Sequence, residues 1–224
     1  MRSKKTFFAV LILAATILNT ACGSRTNTNS TGGTTASTPA KSSATAISSK
    51  PNANAAEYEY KVENDGITIT KYLGKDSEIV IPSQIEGKDV KKIDFSFLRS
   101  AEEKVVTSVI MPDTITELNK ELFQGNSALK SITFSKSLKE IPKGVCQFCS
   151  ALETVNLFDG LEVIGYVAFN NCDSLKSVVI PDTVKECDVN AFFACDSLET
   201  MTYKGKTYKK PDLDQCYNAI NDQR

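Results

Sequence analysis

The chain has 224 residues, 41% hydrophobic and 24% charged, with a formal net charge of −1. That composition supports a packed core and excludes a wholly disordered chain. It holds no histidine and no tryptophan, which removes Ser-His-Asp and Cys-His nucleophile pairs, histidine zinc ligands and axial haem histidines.

Residues 1–21 read as an address. Arg2, Lys4 and Lys5 precede an apolar run from Phe7 to Leu18, broken only by Thr16, and small residues lead to Ala21 and Cys22. This is the three-part layout of a secretory signal peptide, and the run is too short to span a bilayer as a mature helix. The segment Ala21-Cys22-Gly23-Ser24 resembles a bacterial lipoprotein signal. The resemblance implies lipidation of Cys22 and a mature chain that starts there, with plain secretion after nearby cleavage as the alternative. The membrane would be reached through that lipid alone, by a chain exported to the bacterial cell surface or facing the periplasm.

Residues 22–56 form a linker. Fourteen of residues 23–56 are Ser or Thr, a composition that buries too little apolar surface to offset chain entropy. As a flexible coil it would reach roughly 30 Å, and about 110 Å pulled straight. Signal and linker hold six basic residues and no acid, so residues 57–224 carry 20 basic against 27 acidic residues. An acidic domain is a poor match for nucleic acid and for anionic lipid.

Residues 57–105 read as an N-terminal cap and a degenerate first repeat. Residues 58–81 alternate as strands do, with turns at Asn64-Asp65-Gly66 and Gly74-Lys75-Asp76. Within 82–105, Val90, Ile93 and Phe97 recur at stretched spacing.

Residues 106–202 repeat with a period of 23: Val106, Leu129, Leu152, Leu175 and Leu198 each open a unit. Apolar columns follow, among them Val109, Ile132, Val155, Val178 and Met201, then Ile115, Leu138, Leu161 and Val184. An aromatic column holds Phe123, Cys146, Phe169 and Phe192, and the last column holds Asn126, Cys149, Cys172 and Cys195. Each unit is too small to bury its own apolar face, whereas stacked copies share a continuous core. The recurring L-x-x-I-x-(I/L/F) opening and the (A/V)-F-x-x-C close resemble the BspA-type leucine-rich-repeat family of bacterial surface proteins over residues 66–221. The resemblance implies a β-rich leucine-rich-repeat solenoid: a parallel sheet of stacked 23-residue repeats, short helical turns and a C-terminal capping helix.

Residues 203–224 would be that cap. Tyr203-Lys204-Gly205-Lys206-Thr207-Tyr208 reads as a hairpin. Leu213, Cys216, Tyr217 and Ile220 follow at helical spacing, with Asp212 as the expected N-cap.

Strand alternation turns the remaining positions outward. Ser108, Ser131, Thr154, Ser177 and Thr200 form one column, and Ile110, Thr133, Asn156, Val179 and Thr202 the next. The third is Pro112, Ser135, Phe158, Pro181 and Lys204. The candidate contact residues are therefore Ser131, Thr133, Ser135, Thr154, Asn156, Phe158, Ser177 and Val179, with Phe158 the foremost. Ser and Thr are also good exposed strand residues in their own right. The pairs Thr116-Glu117, Lys139-Glu140, Glu162-Val163 and Lys185-Glu186 suggest a solvated flank with cross-repeat ion pairs.

Cys146-Gln147-Phe148-Cys149 is a C-x-x-C, but both cysteines lie in repeat columns, so they read as buried thiols. A disulfide, or a redox or metal role, is the alternative. Glu117, Glu140, Glu162 and Glu186 occupy solvent positions, where no pair converges as a glycosidase needs. Asp173 and Asp196 are expected to cap backbone groups in their turns. The expected function is thus non-catalytic, with no cofactor and no metal. The resemblance implies binding of a protein ligand, such as a host extracellular-matrix or cell-surface protein. The alternative is an assembly component that binds the bacterium's own envelope polymers or surface proteins.

Overall fold

The computed structural model describes residues 55–94 and 105–222; the signal, nearly all of the linker, Cys22 and Phe97 lie outside them. A short 3-10 turn, Ala55–Glu57, leads into an antiparallel hairpin of β1 (Tyr58–Glu63) and β2 (Gly66–Tyr72). Then come β3 (Glu78–Val80), β4 (Gln84–Ile85) and β5 (Lys88–Ile93). Two-residue turns with both central φ angles positive match the twist of paired strands. Glu86-Gly87 joins β4 to β5 in this way.

Each later repeat contributes one longer strand, and all but the last add a shorter one. The longer ones are β6 (Ser108–Ile110), β8 (Ser131–Thr133), β10 (Thr154–Asn156), β12 (Ser177–Ile180) and β14 (Thr200–Tyr203). The shorter ones are β7 (Glu117–Leu118), β9 (Glu140–Ile141), β11 (Val163–Ile164) and β13 (Glu186–Cys187). The longer strands stack in parallel in the order β3-β6-β8-β10, and then β12-β14. From β6 on their register is the sequence period itself: Ser108 pairs with Ser131 and Val109 with Ile132, and Ile132 pairs in turn with Val155, whereas Glu78 of β3 pairs with Ser108 at a wider spacing. The shorter strands stack likewise, with β9-β11-β13 in one run and β2-β5-β7 in another.

The third side of each repeat consists of single hydrogen-bonded turns. Gln124 N donates to Glu121 O (3.2 Å) and Gln147 N to Gly144 O (3.1 Å), and these turns do not extend into a helix. Other backbone amides there reach the next repeat. Phe123 N donates to Val145 O (2.8 Å), Cys146 N to Ala168 O (2.8 Å) and Phe169 N to Ala191 O (2.8 Å). Two columns of this side are left-handed: Glu121, Gly144 and Val167, then Gly125, Phe148, Asn171 and Ala194. Gly125 and Asn171 are the residue types that tolerate this conformation; Phe148 is not.

Between the three sides runs one core. Phe123, Cys146, Phe169 and Phe192 are all buried, with the Phe169 and Phe192 rings stacked at 5.1 Å and Phe134 edge-on to Phe169 at 6.1 Å. The cysteine column adds thiol hydrogen bonds. Cys149 Sγ donates to Phe123 O (3.1 Å), Cys172 Sγ to Cys146 O (3.3 Å) and Cys195 Sγ to Phe169 O (3.1 Å). The column thus ties each repeat to the one before while packing as a small hydrophobe.

At the far end β15 (Lys206–Lys209) pairs antiparallel with β14 through the turn Lys204-Gly205, again with both φ angles positive. The helix α1 (Asp214–Asn221) follows and buries Cys216, Tyr217 and Ile220. Asp212 does not cap it. The N-cap position is Leu213, without a side-chain bond, while Asp212 N donates to Lys209 O in the preceding turn.

Candidate functional site

The outward face of the longer strands is built by the pleat: Val109, Ile132, Val155, Val178 and Met201 point into the core, so their neighbours point out. Ser131 Oγ donates to Ser108 Oγ (2.9 Å) and Asn156 Nδ2 to Thr133 Oγ1 (2.9 Å). Thr154, Asn156 and Ser177 are exposed, Ser131 and Thr133 half-exposed. Val179 is 66% exposed. Since β12 lies against β10, these six lie together on one surface of short side chains. Little rotamer entropy would be lost on contact there.

Two of the expected contact residues sit elsewhere. Ser135 is only 3% exposed: its Oγ donates to Ile115 O (2.6 Å) and accepts from Ser137 N (3.1 Å). The strand alternation ends with Thr133, and the chain has already begun to turn, so Ser135 points inward. Pro181, in the same column, is buried too. Phe158 is half-buried, with Lys136 Nζ 5.5 Å from its ring centroid. It is a covered ring at the margin of the face, not an open one.

Charges border the face. Lys130, Glu153, Lys176 and Glu199 alternate in sign along one side and are all exposed. Just before the shorter strands Glu162 accepts from Lys185 (2.9 Å) and pairs with Lys139 (3.4 Å), and Lys92 of β5 pairs with Glu117 of β7 (3.2 Å). Hydrogen bonds from Lys185 and Lys139 hold the Glu162 carboxyl below its ordinary range. The expected cross-repeat ion pairs are thus present. Carboxylates that hold backbone amides include Asp113 (Lys136 N), Asp182 (Lys204 N) and Asp188 (Asn190 N). Asp173 takes part through its carbonyl, which accepts from Ser197 N.

The C-x-x-C cysteines are buried and unpaired, like the other four described cysteines. Burial raises the Cys146 thiol far above its ordinary value, the opposite of what an attacking thiolate needs.

Sequence reasoning missed the exposed aromatics. Phe148 and Tyr166 are each 50% exposed and Phe193 is 63% exposed, all on the turn side. Their signal was present: Phe193 breaks a column of amides, Gln124, Gln147 and Asn170, and Phe148 breaks one of small residues. Those amides form a ladder, Gln124 Nε2 to Gln147 Oε1 (2.7 Å), Gln147 Nε2 to Asn170 Oδ1 (3.2 Å) and Asn170 Nδ2 to Phe193 O (3.0 Å).

The period, the parallel register and the cysteine column define a family. A family model described as "BspA type Leucine rich repeat region" matches residues 78–212 in six copies. The chain belongs to the BspA-type leucine-rich-repeat family. Among solved structures it is similar to the leucine-rich-repeat protein of T. pallidum, at 32% identity and a TM-score of 0.60, over 66% of this chain and 70% of that one. It is also similar to a leucine-rich-repeat protein from Bacteroides ovatus ATCC 8483, at 27% identity and a TM-score of 0.56, over 65% of this chain and 39% of that one. A comparison with curated proteins finds no match. Leucine-rich repeats generally mediate protein binding, and leucine-rich-repeat proteins are generally non-catalytic.

Proposed function

We infer that this BspA-type chain is a non-catalytic surface lipoprotein whose repeat face binds a protein, with adhesion to a host extracellular-matrix or cell-surface protein as its task. The observation that carries the reading is the continuous face of Ser131, Thr133, Thr154, Asn156, Ser177 and Val179, which adds hydrogen-bonding groups and one exposed apolar side chain on a rigid sheet. Short side chains on fixed strands form contacts at low entropic cost, and alternating border charges select register and partner. The signal segment and Cys22 supply the export and anchoring that an adhesin requires.

The test is a titration of the purified chain against immobilised extracellular-matrix proteins, beside isolated cell wall, with a Thr133→Arg/Asn156→Arg variant in parallel. Saturable binding to a matrix protein that the variant loses supports adhesion through this face. Binding to cell wall alone reassigns the chain to envelope assembly, and equal binding by the variant removes the sheet face as the site.

A further inference from the structure

One corner of the repeat face carries charges that alternate in sign from repeat to repeat. Lys130, Glu153, Lys176 and Glu199 each stand one residue ahead of a longer strand, and all four are exposed. Their backbones stack: Glu153 N donates to Lys130 O (2.8 Å) and Glu199 N to Lys176 O (2.9 Å). Rungs of such a stack lie about 4.8 Å apart. Thr107 precedes the row, accepting from Lys130 N, and Lys210 follows it, donating from its amide to Glu199 O (2.9 Å).

Lys139, Glu162 and Lys185 form a second alternating column at the same spacing. There the charges bond to one another, at 3.4 and 2.9 Å. The corner row behaves differently. None of its four side chains enters an ion pair among the described residues. Cross-repeat pairing within the chain accounts for the flank and leaves the corner unexplained.

The alternation narrows the choice of partner. A uniformly charged polymer or lipid surface would meet two like charges in every four. A fitting partner carries both signs in turn, at the spacing of stacked strands. A second copy of this chain does so by construction, because a row of four alternating charges is its own complement when reversed. A two-fold axis in the plane of contact, parallel to the strands and midway between β10 and β12, performs that reversal. It sets Lys130 opposite Glu199 of the second copy and Glu153 opposite Lys176 of the second copy, and symmetry repeats both pairs.

The same axis lays each outward column on itself. Thr154 meets Ser177 of the second copy, and Asn156 meets Val179 of the second copy, so short side chains face short side chains. Lys210, whose Nζ donates to Asp196 O (3.0 Å), falls opposite Thr107. Glu78, beside Ser108 at the β3 end, comes within one rung of Lys209, beside Thr200 at the β15 end. On the other margin the chain turns inward and buries Ser135 and Pro181, which takes Asp159 and Asp182 off the contact.

The axis also passes where the face is least closed. Thr154 N donates to Lys130 O (3.1 Å) and Thr200 N to Lys176 O (3.4 Å), but Ser177 N makes no such bond to Glu153 O. Val155 is the most exposed of its buried column, and Val179 stands out beside it. Exposed ion pairs contribute little each, so the row chiefly sets register while this central strip supplies the covered surface.

We propose that the repeat face binds a second copy of the chain in a two-fold dimer of antiparallel solenoids, registered by Lys130, Glu153, Lys176 and Glu199. The proposal rests on the reading of this face as protein-binding, and it adds a self-partner that competes with an external one.

The test is sedimentation equilibrium of the purified full chain over a range of concentration and salt, with no matrix protein present. Lys130→Glu/Lys176→Glu makes the row wholly acidic and Glu153→Lys/Glu199→Lys makes it wholly basic. The fourfold exchange of all these positions inverts every sign and keeps the alternation. Lys139→Gln/Lys185→Gln serves as a control on the flank, and circular dichroism verifies that each variant is folded. The expected result is a wild-type dimer that weakens with salt, and association at least tenfold weaker in each twofold reversal. An equimolar mixture of the two reversals should associate at least as tightly as wild type, and the fourfold exchange and the flank control should match wild type. A wild type that stays monomeric up to its solubility limit overturns the proposal, as does a twofold reversal that dimerises like wild type or a mixture that stays monomeric. Matrix titration at concentrations below dimerisation reads the adhesion proposal separately: a dimer without matrix binding removes adhesion alone, and matrix binding without a dimer removes the dimer alone.

Discussion

Asn221, on the last turn of α1, exchanges two hydrogen bonds with the backbone of Cys187. Cys187 N donates to Asn221 Oδ1 and Asn221 Nδ2 donates to Cys187 O, each at 3.0 Å. A side-chain amide has the donor and acceptor of a peptide group. It stands where the next repeat's strand would pair with β13, so the Cys187 amide and carbonyl are satisfied at the sheet edge. The solenoid's last repeat is closed by a mimic of the repeat that does not follow.

Replacing Asn221 by Leu removes both bonds and leaves the Cys187 amide and carbonyl without partners. The expected loss is about 1–3 kcal/mol, measured by urea unfolding. Asn221→Asp keeps the acceptor alone and should fall between the two.

Phe169 packs between Phe134 and Phe192 in the centre of the core. Phe169→Ala should cost about 3–5 kcal/mol, as buried aromatic truncations do. A change within error would mean that the aromatic column is not the shared core of the repeats.

Phe148 adopts φ +62° in a column shared with Gly125, Asn171 and Ala194. The left-handed region costs a bulky residue about 1–2 kcal/mol, and half of this side chain is exposed, so burial returns little. Phe148→Asn is expected to raise the unfolding midpoint. A lowered midpoint would show that the half-buried ring contributes more than the strain costs.

Burial pushes the Cys216 thiol up to about 11 and the Cys187 thiol higher still. The folded chain holds the neutral form, so this contribution to stability is complete below the ordinary value of 9.0 and is lost as pH rises through about 11. Unfolding followed against pH should show a decline over that window, and Cys216→Ala should make it shallower while Cys187 keeps the remainder. Glu162 works in the opposite direction. Its lowered carboxyl favours the folded state above the ordinary 4.5 and loses that effect as pH falls. Since Glu162 is solvent-facing, high salt should erase the difference between wild type and Glu162→Gln.

The apolar columns were legible in the sequence because stacking imposes one period on every buried position: Leu129, Leu152, Leu175 and Leu198 cannot drift without opening the core. Ion pairs such as Lys139–Glu162 were legible for the same reason. Ser135 was not, because two-residue alternation holds only within a strand, and β8 ends at Thr133. Asp212 was misplaced because it belongs to the turn after β15 and the helix begins one residue later, with Leu213 at the N-cap position. The β4–β5 hairpin was hidden by stretched spacing, although Glu86-Gly87 is a two-residue turn of the same kind as Lys204-Gly205. Phe148 and Phe193 were overlooked because the turn side has no strand periodicity to mark which residues face solvent.

One 23-residue register organises the solenoid from β6 onward, and a pair of deletions tests it. Deleting residues 152–174 removes one full repeat and joins Ala151 to Leu175, so every column stays aligned. Deleting residues 152–173 leaves one residue too many and puts all later columns out of register. Nearest-neighbour stacking predicts that the first deletion unfolds cooperatively, at a lower midpoint than the full chain, and that the second has no cooperative transition. Equal behaviour of the two deletions in a thermal melt would contradict the account.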